Sequence, residues 1–261
     1  MITIEVRNAS GAVIAATGHE TEALLCVDRV YQPGDRVAIA GARHLCLQMD
    51  QAMPAGEAYL PAGKMTWTVP AGEHRLAYAP HIFEAERHVI SARAMTAAEV
   101  LSRRDLARNP ADLRGDTDFF PHCTANVETR NEACFCARNV IDGMRCNTFH
   151  GEWPFESWGI GAREDAWCRL DLGREAEIDG MALTLRADFP HDAYWTEGHA
   201  VLSDGTDVLF PLKKTGDRQL ISLGRHTVRW IRLERLRKSD DPSAFPALTA
   251  WEVYGRDRAA E

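Results

Sequence analysis

The chain has 261 residues, 45% hydrophobic and 26% charged, the composition of a folded globular protein with mass for one large or two medium cores. Its formal net charge of −8 excludes the concentrated Lys and Arg that a nucleic-acid partner needs, and the one Arg-rich stretch, from Arg225 to Arg237, is interleaved with Glu234 and followed by Asp240 and Asp241. No apolar run approaches the roughly 18 residues of a membrane span, and the N-terminus shows no basic region followed by an apolar one, so no membrane contact and a cytoplasmic location are expected.

Residues 2 to 92 read as short strands separated by turns. Ile2–Val6 alternates apolar and polar, and Ala23–Asp28, Arg36–Ala40, Leu45–Met49, Ala58–Leu60 and Met65–Val69 each give a strand of three to six residues. Asn8–Gly11, Gln32–Asp35, Met53–Gly56, Pro61–Gly63 and Pro70–Gly72 supply Gly, Pro, Asn and Asp where turns need them. Strands and turns at this pace predict an antiparallel sandwich, not alternating β and α units. The seven cysteines are odd in number and irregular in spacing, which suits structural thiols. Cys26, Cys46 and Cys168 read as core residues, and Cys134 and Cys136, two apart, as one face of a strand.

Thr96-Ala-Ala-Glu99 is a capping box that predicts a helix over 96–108, stopped at Asn109-Pro110. The polar connector that follows sets the expected boundaries: a sandwich at 1–95, helix and linker at 96–124, and a second sandwich at 125–261. In that second part Ala166–Gly173, Ile178–Arg186, His199–Leu202, Val208–Leu212, Arg229–Leu236 and Ala250–Gly255 alternate, and Trp167, Trp230 and Trp251 are expected in the core.

Three signals then stand in order: Ala137-Arg-Asn-Val-Ile-Asp-Gly143, Trp167-Cys-Arg-Leu-Asp-Leu-Gly173 with the strand from Ile178, and Glu252-Val-Tyr-Gly255. Over about residues 125–256 the chain resembles the discoidin, or coagulation-factor type C, group of galactose-binding-like domains. The resemblance implies an all-β protein whose C-terminal domain is a jelly roll that binds a sugar-like ligand at one loop rim. It also implies a structural calcium ion held by Asp142, Thr148 and Glu252, oxygen donors that suit a hard cation. The residues alone leave open a plainer role for Asp142, capping its own turn.

Two loops are richer than such a fold requires, His150–Trp158 and Arg186–Trp195. A planar aromatic ring stacks on the C–H face of a sugar while fixed polar groups take its hydroxyls. Trp153, Trp158 and Trp195 are the candidate platforms, and His150, Arg186, Asp188 and His191 the candidate readers. The expected function is non-catalytic carbohydrate binding, with a homo-oligomer left open. The sequence contains no His-x3-His, Gly-x-Ser-x-Gly or phosphate-loop motif. Two alternatives stand beside it: an enzyme of carbohydrate metabolism with its site at the domain junction near His122, and an assembly module that uses the aromatic rim as an interface.

Overall fold

The computed structural model describes residues 1–186 and 193–258. The protein is all-β, with two sandwiches and a short helical connector, the second sandwich a jelly roll as expected. In the first, β2 (Val13–His19), β1 (Ile2–Arg7), β4 (Arg36–Ala40) and β7 (Lys64–Thr68) form one antiparallel sheet in that order. The facing sheet runs β3 (Glu22–Asp28), β8 (Arg87–Ala94), β5 (His44–Gln48), β6 (Gly56–Tyr59). Alternation places Ile2, Ile4, Val6, Val37, Ile39, Met65 and Trp67 from one sheet against Leu25, Val27, Leu45, Leu47, Ile90 and Ala92 from the other. Cys26, expected in this core, faces solvent instead, because its neighbours Leu25 and Val27 hold the inward phase of β3.

The helix is shorter than its capping box suggested. Thr96 and Glu99 close the box, but α1 spans only Ala97–Leu101 and buries none of its residues. Without an apolar face to pack, it yields to β9 (Arg104–Asp105), which pairs with Tyr254 and Gly255. Arg104 then bridges Glu57 of the first sandwich and Asp257 of the second.

The second sandwich is built on β12 (Cys168–Leu185), the long strand that fuses two predicted ones. It lies between β15 (Gln219–Lys238) and β16 (Ala247–Asp257). Outward from these come β13 (Trp195–Leu202) and β14 (Asp207–Pro211) on one side, β11 (Trp158–Gly159) on the other, and β10 (His122–Ala125) against the start of β12. Its core gathers Val140, Ile141, Trp158, Leu170, Leu172, Ile178, Leu183, Trp195, Ile231 and Trp251. Cys134 and Cys136 are buried, but Cys134 lies in a 3₁₀ turn and Cys136 between two such turns, not on a strand. Of the three tryptophans expected in the core only Trp251 is there. Trp167 and Trp230 lie in the phase of Arg169, Asp171 and Arg232, where guanidiniums cover their rings.

The two sandwiches are stitched together. Tyr59 and Phe120 exchange backbone hydrogen bonds of 2.7 and 2.9 Å. Phe120 packs over Gly173, where the positive φ of 67° favours glycine and a Cβ would stand 2.3 Å from the ring. Phe119, Ala111 and Ala133 bury their side chains in the first sandwich's core although they follow it by many residues.

Candidate functional site

Alternation stops at Pro70, and the chain makes a 3₁₀ turn over Gly72–Ala77 before reaching Tyr78. Tyr78 is buried at the seam between the sandwiches, where its hydroxyl donates to the Asp112 carbonyl at 3.0 Å. Burial pushes its phenol up to about 12. Over its ring, 4.5 Å from the centroid, lies the guanidinium of Arg138. Arg138 is 2% exposed, and its donors reach three main-chain carbonyls: Ala77 at 3.1 Å, Pro110 at 3.0 Å and Asp112 at 3.0 Å. Burial opposes its charge, but Tyr78 and Asp142 beside it hold the proton more firmly than usual. The Asp142 carboxylate stands 3.7 Å away.

Behind Asp142 sits Glu156, 2% exposed, with neither oxygen meeting a donor among the protein's other groups. Two carboxyls in contact in a buried place cannot both ionise. Burial first, then the Asp142 charge, pushes Glu156 up to about 9, and burial raises Asp142 as well. Both causes favour the protonated form of Glu156 and leave the Asp142 charge to face Arg138.

Three cavities surround Tyr78. One of about 220 Å³ is lined by Tyr78, His81, Arg108, Arg138, Asp142 and Trp153, among others. A second, about 320 Å³, lies across Tyr78 and Arg138 and adds His74, Arg114 and Cys136. A third of about 320 Å³ lies across Tyr78 and Trp153 and is lined by Arg75, Glu84 and Glu152. Tyr78 and Arg138 thus divide one pair of cavities, Tyr78 and Trp153 the other.

The predicted site residues separate. Trp153 stands at the seam, half-buried against the first sandwich's core, its backbone N–H donating to the Leu76 carbonyl at 3.1 Å and its ring 6.5 Å from that of His81. Trp158 and Trp195 are not platforms. They are 0% and 1% exposed and stack on each other at 6.1 Å inside the second core, Trp195 reaching it across a break in the alternation of β13. Arg186 is buried and reaches the Phe245 carbonyl at 3.2 Å. His150 is half-buried and stacks on the exposed ring of Phe149 at 5.6 Å. Asp188 and His191 lie outside the described residues. His122, the junction histidine, is held by Asp112 at 2.7 Å and lines none of the three seam cavities.

The residues expected to hold calcium have other partners in the structure. Asp142 accepts from the Met144 N–H at 2.7 Å, the turn-capping role that the residues left open, and spends its other oxygen on Arg138. Glu252 faces Arg145 and Arg218, whose charges compete with any cation. Thr148 is exposed, and among the described residues no three His, Cys, Asp or Glu side chains group as metal ligands. The seam residues Tyr78, His81, Arg108 and Arg138 were missed by sequence reasoning. Gly72–His81 carries a signal in hindsight, as a non-alternating run with an aromatic and two histidines between strands.

No protein-family model matches the chain, and no curated protein matches it. Among solved structures, it is similar to a fucose-binding module of Streptococcus pneumoniae, at 15% identity over 59% of this chain and 96% of that one, with a TM-score of 0.43. A family 32 carbohydrate-binding module from C. perfringens NanJ, solved with galactose, is 15% identical over 51% of this chain and 91% of its own, with a TM-score of 0.39. A chitosan-binding module from a Paenibacillus chitosanase/glucanase is 18% identical over 58% and 99%, with a TM-score of 0.40.

Proposed function

We propose that the protein binds a carbohydrate-like ligand without turning it over, and that the ligand lies at the seam between the sandwiches. The observation that carries this is the position of Trp153. It is the one predicted platform with a ring outside the second core, and it forms the wall between two cavities. Each side of that wall offers polar groups beside an aromatic surface: His81, Arg108 and Asp142 on one, Arg75, Glu84 and Glu152 on the other. An aromatic face with a few convergent polar groups is what a sugar ring requires.

The test is tryptophan fluorescence during titration with a panel of mono- and oligosaccharides. Trp153→Ala is expected to abolish binding, while Trp167→Phe, on the outer surface of the second sandwich, leaves it unchanged. A saccharide whose affinity survives Trp153→Ala would place binding elsewhere and refute the seam.

A further inference from the structure

The seam cavity holds an arginine whose charge nothing around it matches directly. Leu106 and Ala107 are buried, and the Asn109 N–H donates to the Ile141 carbonyl at 2.7 Å, so the backbone on both sides of Arg108 is fixed. The side chain then lies across the Asp142-Gly143 turn. Gly143 has φ of +89°, and a Cβ there would stand 2.8 Å from Arg108 Nε. The turn therefore needs glycine for its conformation and also to let the arginine through. Arg108 lines the 220 Å³ cavity and a neighbouring one of about 330 Å³ that includes Asp105, Arg145, Trp251 and Glu252.

Every other arginine lining these cavities faces a carboxylate: Arg75 has Glu84, Arg114 has Glu128, Arg138 has Asp142, and Arg145 has Glu252. Among the described residues, no carboxylate comes within ion-pair distance of Arg108. Asp142 is matched by Arg138, and Glu156 behind it is neutral. Asp105 accepts two backbone N–H groups, from Ala107 and Val253, and its charge reaches Arg108 only at longer range. What remains is an exposed guanidinium, carried by a fixed stretch of backbone over the Gly143 turn, at the edge of a cavity that also contains the Trp153 ring.

We propose, resting on the seam reading above, that the ligand is a carboxylated saccharide, with Arg108 taking its carboxylate and Trp153 its ring. A guanidinium matches a planar carboxylate through two parallel N–H donors, and such charge-assisted pairs are about twice as strong as neutral ones. Trp153 supplies the apolar face that a simple anion would not use.

The experiment is calorimetric titration with a glucuronate-containing trisaccharide and with its methyl ester, the same molecule without the charge. The wild type is expected to bind the acid at least about tenfold more tightly than the ester, a difference that shrinks as salt rises. Arg108→Gln is expected to erase that difference by lowering the affinity for the acid toward that of the ester, while Trp153→Ala removes binding of both. Equal affinity for acid and ester, or a preference that survives Arg108→Gln, overturns this inference and leaves the sugar site standing. No binding of either form, by protein whose thermal melt shows it folded, overturns both readings.

Discussion

Replacing Glu156 by Gln keeps the shape of the side chain and a donor toward Asp142 but removes the titrating proton. In the folded protein Glu156 keeps that proton up to about pH 9, whereas in the unfolded chain it is lost near the ordinary value of 4.5. Between those limits the folded state binds the extra proton, so stability falls as pH rises. The slope for one such group is about 1.4 kcal/mol per pH unit. From pH 6 to pH 8 the wild type should therefore lose about 3 kcal/mol relative to Glu156→Gln. For a chain of this size that corresponds to about 6–12 °C in melting temperature. Asp142 titrates with Glu156 as a pair, so the slope belongs to both residues, and Gln removes it by leaving Asp142 a permanent donor. Thermal melts followed by circular dichroism at pH 6, 7 and 8 give the comparison. Parallel pH profiles for the two proteins would refute the shared proton, and so would a variant destabilised equally at every pH.

Two further outcomes test the two halves of the molecule. Trp195→Ala removes a fully buried ring and the stacking partner of Trp158, and should cost about 3–5 kcal/mol in urea unfolding, as expected of a core residue and not of a rim platform. Asp257→Asn leaves Arg104 and Arg174 facing a neutral partner in a largely buried place, and should cost about 3 kcal/mol or more at neutral pH. Burial would raise the Asp257 carboxyl, but Arg174 and Arg104 hold it below its ordinary value. Its contribution is thus present above the unfolded value of 3.8 and lost as pH falls through the folded one, so wild type and variant should converge in acid.

Most strands were legible because alternation and turn chemistry agree, as in Arg36–Ala40 and Met65–Val69. Two strands of the first sandwich were not. β2 is an edge strand with almost every side chain exposed, so it has no buried phase to read. β8 carries Arg, His and Ser among its apolar residues, and its buried phase includes His88, held by Asp50 at 2.8 Å. The tryptophans show where residue type misleads. Trp167 shares its phase with Arg169 and Asp171, which already points it away from Cys168, Leu170 and Leu172. Trp158 and Trp195 looked like rim residues because loop residues precede them, yet both are buried, and Trp195 is out of step with Gly198, Ala200 and Leu202, the inward residues of the same strand.

The seam was illegible for a different reason. Arg138 sits inside the Ala137–Gly143 motif, and nothing in its neighbours marks it as buried. Its acceptors are the carbonyls of Ala77, Pro110 and Asp112, and a carbonyl leaves no trace in a sequence, since every residue has one. These three acceptors come from the first sandwich and from the connector, so the guanidinium can be satisfied only when the sandwiches are in register. The same contacts set Tyr78 beneath Arg138 and Asp142 beside it, and these residues are shared walls of the cavities. A buried charge this fully hydrogen-bonded tolerates little displacement, because each lost acceptor leaves a desolvated donor. The groups that join the sandwiches are therefore the groups that shape the cavities, and Arg108, tied through Asn109 to Ile141 but free of a carboxylate, is the charge which that framework holds toward solvent.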